Sequence, residues 1–126
     1  RMTQPAPAEE FVDGDNVLFI DDKQREYLHT LVAGRKVDLG AGTVRADDLI
    51  GGPAGRKVKN SAGQAYIVVR PTYAQLIPNL PRQAQVIYPK DIGPILVWAD
   101  IFPGATVLEV GVGPGSLSIA LLRAVG

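Results

Sequence analysis

The chain contains no cysteine, so disulfides and thiolate metal sites are excluded, and such a composition is expected of a reducing cytoplasm. With His29 as the single histidine, His-rich zinc sites are excluded too, and no metal is expected. Lys plus Arg equals Asp plus Glu at 13 each, so the basic excess of a free-standing nucleic-acid binder is lacking. A local basic patch stays compatible with that balance. Nowhere does an apolar run reach the roughly 18 residues that a membrane helix needs, and no membrane contact is expected. Arg1 to Glu10 is polar and rich in Pro and Ala, unlike a signal peptide, so residues 1–12 are expected to form a flexible leader.

What is present suits a folded chain: 46% hydrophobic and 21% charged residues over 126 positions. Short β-like runs separated by turn residues fill residues 13–72. They are Val17 to Ile20, Glu26 to Leu31, Lys36 to Leu39 and Thr43 to Arg45. Lys57 to Asn60 and Gln64 to Arg70 form a hairpin around Ser61-Ala62-Gly63, and Asp47 to Gly52 reads as one helical turn with an Asp cap and a Gly stop. Five or six short strands at even spacing predict a small N-terminal β-barrel or sandwich. Thr72 caps a short helix from Tyr73 to Ile77 that Pro78 ends, within a connector at 73–90. From 91 the pattern changes. Asp91 caps a helix, with Pro94 in its first turn and Ile92, Ile95, Leu96 and Ala99 on one apolar face. A turn at Phe102-Pro103-Gly104 then leads to a strand from Thr106 to Val110. The fold class is α+β: a small β domain followed by the first β-α unit of a Rossmann-like domain at 91–126.

The chemistry concentrates in Glu109-Val110-Gly111-Val112-Gly113-Pro114-Gly115-Ser116. Glycines where a strand enters a helix let the backbone turn sharply and approach a ligand with no Cβ in the way. A dinucleotide fingerprint is G-x-G-x-x-G, and Ser116 stands where its third glycine would fall. The pattern is instead E-x-G-x-G-x-G, that of methyltransferases using S-adenosylmethionine. In it Glu109 suits the cationic methionine end of that cofactor and would repel a pyrophosphate. A dinucleotide site and a tight turn with no ligand remain the two alternatives. Without a Gly-Lys-Ser/Thr sequence, a P-loop is excluded.

Four further stretches narrow the reading: Asp47-Asp48-Leu49-Ile50-Gly51, Val69-Arg70-Pro71-Thr72, Gln85-Val86-Ile87-Tyr88-Pro89-Lys90-Asp91, and Asp100-Ile101-Phe102-Pro103-Gly104 ahead of Val107-Leu108-Glu109. Through them the chain from Asp13 onward resembles the bacterial and archaeal tRNA (adenine-N1)-methyltransferases that modify the T-loop adenine. The resemblance implies a Rossmann-like catalytic domain, S-adenosylmethionine as cofactor, tRNA as partner, no metal, a cytoplasmic setting and a homo-oligomer, commonly a tetramer. It implies cofactor contacts from Gln85, Tyr88, Glu109, Gly111, Val112, Gly113, Pro114, Gly115 and Ser116. The target base is bound out of its stack. The acid that holds the cofactor ribose and the catalytic Asp would lie beyond Gly126, so these 126 residues alone are expected to be inactive. Ala46 stands where the family usually has His, Pro114 where it has Ser, and Pro78 interrupts a helix that is normally continuous. The alternative function is a non-catalytic RNA-binding or assembly module.

Other residues are expected to have plainer roles. His29 reads as structural or exposed, Trp98 as packing beside its helix's apolar face, and Asp47, Asp48 and Asp91 as helix caps. Lys90 and Asp91 adjoin the expected cofactor pocket. Arg56, Lys57 and Lys59 form the densest basic cluster, read as a solvated loop before a phosphate contact.

Overall fold

The computed structural model describes residues 10–80 and 85–126, so residues 1–9 of the expected leader and 81–84 of the expected connector lie outside the described residues. The chain divides into two compact units between Pro71 and Thr72.

In the first unit the apolar runs become β1 (Asn16–Ile20), β2 (Glu26–Thr30), β3 (Lys36–Leu39), β4 (Gly42–Arg45), β5 (Lys57–Lys59) and β6 (Ala65–Val69). Four strands form an antiparallel sheet in the order β2-β1-β6-β5, while β3 and β4 form a separate ribbon. As an inner strand, β1 buries Val17, Leu18 and Phe19 in succession, whereas β3 keeps the alternation of a strand with one solvated face. Both sheets contribute to one core of Phe11, Val17, Phe19, Leu31, Val37, Leu39, Val44, Ala46, Leu49, Tyr66 and Val68.

Among the described residues the sheets are open and no closed barrel forms, which corrects that part of the expected fold. Where a barrel would need a strand ladder between the sheets, a few side-chain bonds and one backbone bond stand instead. The Asn60 amide, 5% exposed, donates to the Leu39 carbonyl at 3.2 Å and accepts from the N–H groups of Ala62 and Gln64. The Thr43 N–H donates to Ser61 Oγ, and the Ser61 N–H donates to the Thr43 carbonyl, both at 2.9 Å.

Two expectations in this unit need correction. Phe11 is not leader: it is fully buried, its N–H and C=O bond to Gly52 and Gly51, and the Arg70 guanidinium lies 4.9 Å from its ring centre. Nor do Asp47 and Asp48 cap a helix. They sit inside a 3-10 turn, Ala46–Asp48, where Asp47 accepts from the Gly34 N–H and Asp48 pairs with Arg45 at 3.0 Å.

The second unit begins with α1 (Tyr73–Leu76), whose N-cap Thr72 forms a reciprocal capping box with Gln75. Pro78 does not stop the chain there; it enters a 3-10 turn, Ile77–Asn79, whose first positions need no N–H from it. The next helix, α2 (Pro89–Trp98), starts two residues before Asp91, because Pro89 is preset for a helix's first position. Tyr88 is therefore the N-cap, Asp91 lies in the first turn, and Pro94 lies deeper than expected, leaving the Lys90 carbonyl without its helical donor. Ile92 is buried and Ile95 and Leu96 half-buried, but Ala99 is exposed and Trp98 is 89% exposed, so neither packs as expected.

Residues Thr106 to Val110 form no strand, since no described segment offers them a ladder. A strand exists through its hydrogen-bonded neighbour. The chain ends in α3 (Ser116–Val125), which adds Ala120 to a second core with Ile77, Val86 and Ile92.

Candidate cofactor site

Gly111, Gly113 and Gly115 hold φ at 79°, 56° and 89°, a left-handed region that costs other residues about 1–2 kcal/mol. Gly115 is also the N-cap of α3, and no side chain caps that end. The first-turn N–H groups of a helix have no partner within the helix, and together they favour negative or lone-pair-bearing groups. A Cβ built at Gly111 or Gly115 meets no atom within 4 Å, so open space borders the loop on that side.

Glu109 is half-buried and accepts a hydrogen bond from the Ser118 hydroxyl one turn into α3. That bond turns its carboxylate toward the helix start. Val107, Glu109, Val112, Ser118, Leu121, Leu122 and Val125 line an open, mainly apolar depression of about 320 Å³. Val112 and Pro114 are loop residues, exposed and half-buried respectively.

Ser116 is 2% exposed, and its hydroxyl works in both directions. It donates to the Ile87 carbonyl at 2.9 Å and accepts from the Ile87 N–H at 3.2 Å. Its side chain is thus engaged within the protein. The same pair brings the end of the glycine loop against the segment that carries Gln85 and Tyr88. Gln85 is exposed and Tyr88 half-buried. The Ser116 carbonyl in turn accepts from the Tyr73 hydroxyl, and the Arg123 guanidinium lies 5.2 Å from the Tyr73 ring centre. Partial burial raises the Tyr73 pKa, and Arg123 offsets part of that rise. Tyr73 and Ser118 were missed by sequence reasoning. Ser118 could have been found as a hydroxyl one turn after the loop, but nothing in a four-residue helix marks Tyr73.

The remaining candidates lie elsewhere. Lys90 and Asp91 make an exposed ion pair at 3.8 Å, of a kind that contributes little. Arg56 is not a solvated loop residue: its guanidinium donates to the Asp48 carbonyl, and its Nε is buried with no hydrogen-bond partner. His29 is half-buried, edge-on to Phe19 with ring centres 5.9 Å apart. No group of three or more His, Cys, Asp or Glu suited to a metal occurs among the described residues.

A glycine loop opening a helix, with a carboxylate ahead of it and a second segment tied alongside, is an arrangement that can receive a ligand at the helix start. Residues 63–126 match the family model of the tRNA methyltransferase complex GCD14 subunit, and residues 10–58 match that of the TrmI-like N-terminal region. The chain belongs to this tRNA methyltransferase family. It is 34% identical over 110 residues to tRNA (adenine(58)-N(1))-methyltransferase TrmI of Thermus thermophilus, covering 87% of this chain and 43% of that protein. Among solved structures, a SAM-dependent O-methyltransferase of Thermotoga maritima superposes with a TM-score of 0.86 at 29% identity, over 94% of this chain and 44% of that one. The tRNA (m1A58) methyltransferase TrmI of Aquifex aeolicus gives 0.75 at 29% identity, over 91% and 44%. The chain thus spans less than half the length of these relatives.

Proposed function

We propose that the chain is part of an S-adenosylmethionine-dependent tRNA methyltransferase acting on N1 of the T-loop adenine. The observation that carries this reading is the loop from Glu109 to Ser116, with three left-handed glycines, an uncapped helix start and a carboxylate, in a chain of this family. The residues suit the cofactor. Open space beside Gly111 and Gly115 admits a close ligand, and Glu109 suits a cationic methionine group rather than a pyrophosphate. In this reading Gln85, Tyr88, Glu109, Gly111, Val112, Gly113, Pro114, Gly115 and Ser116 hold S-adenosylmethionine. When bound, the cofactor supplies an electrophilic methyl group to a base drawn out of its stack. The chain's own part is to orient the cofactor through the loop's N–H groups and Glu109.

A Rossmann-like domain opening at residues 91–126 belongs to the same proposal. Leu108 and Val110, 90% and 88% exposed, are apolar residues of the kind that neighbouring strands of a parallel sheet cover. A β domain that includes Phe11 and closes at Pro71, assembly as a homo-oligomer and a cytoplasmic location complete it. The same exposed residues also favour a second reading, a non-catalytic RNA-binding or assembly module that covers them with a partner. Methyl transfer separates the two. The full-length protein carrying this chain is incubated with S-adenosylmethionine and an unmodified tRNA transcript, and the nucleosides are analysed. Formation of 1-methyladenosine is expected; a folded, cofactor-bound protein that forms none would leave the second reading.

A further inference from the structure

Ser116 is the junction of three segments of the second unit. Its hydroxyl is fully engaged with the backbone of Ile87, at 2.9 and 3.2 Å. Its carbonyl accepts from the Tyr73 hydroxyl, and Arg123, nearly two turns further along α3, stacks over the Tyr73 ring. Ile87 lies between Gln85 and Tyr88, so the bonds at Ser116 join the two chain segments assigned to the cofactor. From this geometry we infer that Ser116 and Tyr73 are positioning residues, which lock the first turn of α3 to Ile87 and hold the glycine loop at a set distance from the 85–88 segment. The inference rests on the cofactor reading above, and it moves the Ser116 side chain from ligand contact to internal clamp. Tyr73 is a residue that neither the glycine pattern nor the family stretches single out.

The physical reasoning is direct. A buried hydroxyl that satisfies both groups of one peptide residue cannot be removed without leaving those groups unpaired. The loop would then sample positions in which its N–H groups and the 85–88 segment no longer face one ligand together, and affinity falls by the fraction of time the competent arrangement is lost.

The test measures two quantities on the full-length protein carrying this chain, as wild type and as Tyr73→Phe, Ser116→Ala and Ile77→Val. One is affinity for S-adenosylhomocysteine by calorimetry; the other is hydrogen exchange at the Ile87 amide. Tyr73→Phe keeps the ring and removes one hydroxyl, so it guards against a Ser116→Ala protein that fails to fold. Ile77→Val trims the core against which Tyr73 and Ile87 pack, while removing none of the clamp's hydrogen-bonding groups. The expected result is a several-fold loss of affinity in Tyr73→Phe, a tenfold or greater loss in Ser116→Ala, and a change under twofold in Ile77→Val. Wild-type affinity in both clamp variants overturns the inference, as does an equal loss in an Ile77→Val protein of matched thermal midpoint. If the wild type itself binds no S-adenosylhomocysteine, the cofactor reading falls, and exchange still decides the clamp. A tenfold faster Ile87 amide in Ser116→Ala supports it, and unchanged rates overturn it.

Discussion

Gly115 holds φ at 89° as the N-cap of α3, with nothing near enough to touch an added Cβ. The cost of replacing it is therefore conformational rather than steric. Gly115→Ala is expected to lose about 1–2 kcal/mol of stability in urea titration, and Gly115→Asn less, because Asn tolerates the left-handed region. Equal losses would point to crowding instead. His29 carries a pH signature. Burial lowers its pKa below 6.5, and Asp38 only partly opposes this. Below pH 6.5 the unfolded chain takes up the proton before the folded chain does. Its stabilising contribution is thus complete above 6.5 and is lost as pH falls through the lowered folded value. Thermal midpoints at pH 5 and 8 should differ less in His29→Gln than in the wild type; an unchanged difference would remove His29 as a cause. At this scale the glycine pattern was legible in the sequence, because spacing encodes a local backbone turn. The contacts of Ser116 with Ile87 and Tyr73 were not, since they join residues 29 and 43 positions apart.

At the scale of elements, Thr72 and Asn60 hold what strand and helix propensity alone would leave loose. Thr72→Ala removes the capping box of α1 and should cost about 1 kcal/mol in chemical denaturation. Asn60→Ala strips a buried amide that bonds the end of β3 and the turn before β6, and a loss of about 2–3 kcal/mol is expected. A loss below about 0.5 kcal/mol would mean that apolar packing and the Thr43–Ser61 bonds join the two sheets without Asn60. The β runs of the first unit and the Thr72 cap could be read from the sequence, because alternation and capping residues act within a few positions. The start of α2 was misplaced because Pro89 and Asp91 both signal a helix start, and the proline prevailed. Thr106 to Val110 has a strand's composition, but no described segment pairs with it, and composition does not supply a partner.

For the whole molecule, the first core lies entirely before Pro71 and the second entirely after it. Residues 1–71 expressed alone should therefore unfold cooperatively in urea; a gradual, non-cooperative loss of signal would show that this core depends on residues beyond it. The central claim concerns the second unit, where family membership and the glycine loop converge on S-adenosylmethionine rather than a dinucleotide. Parallel titration of the full-length protein carrying this chain with S-adenosylhomocysteine and with NAD, in wild type and Glu109→Gln, tests it most directly. The account predicts saturable binding of S-adenosylhomocysteine, weakened about tenfold or more in Glu109→Gln, and no binding of NAD. Binding of NAD in preference to S-adenosylhomocysteine would contradict it.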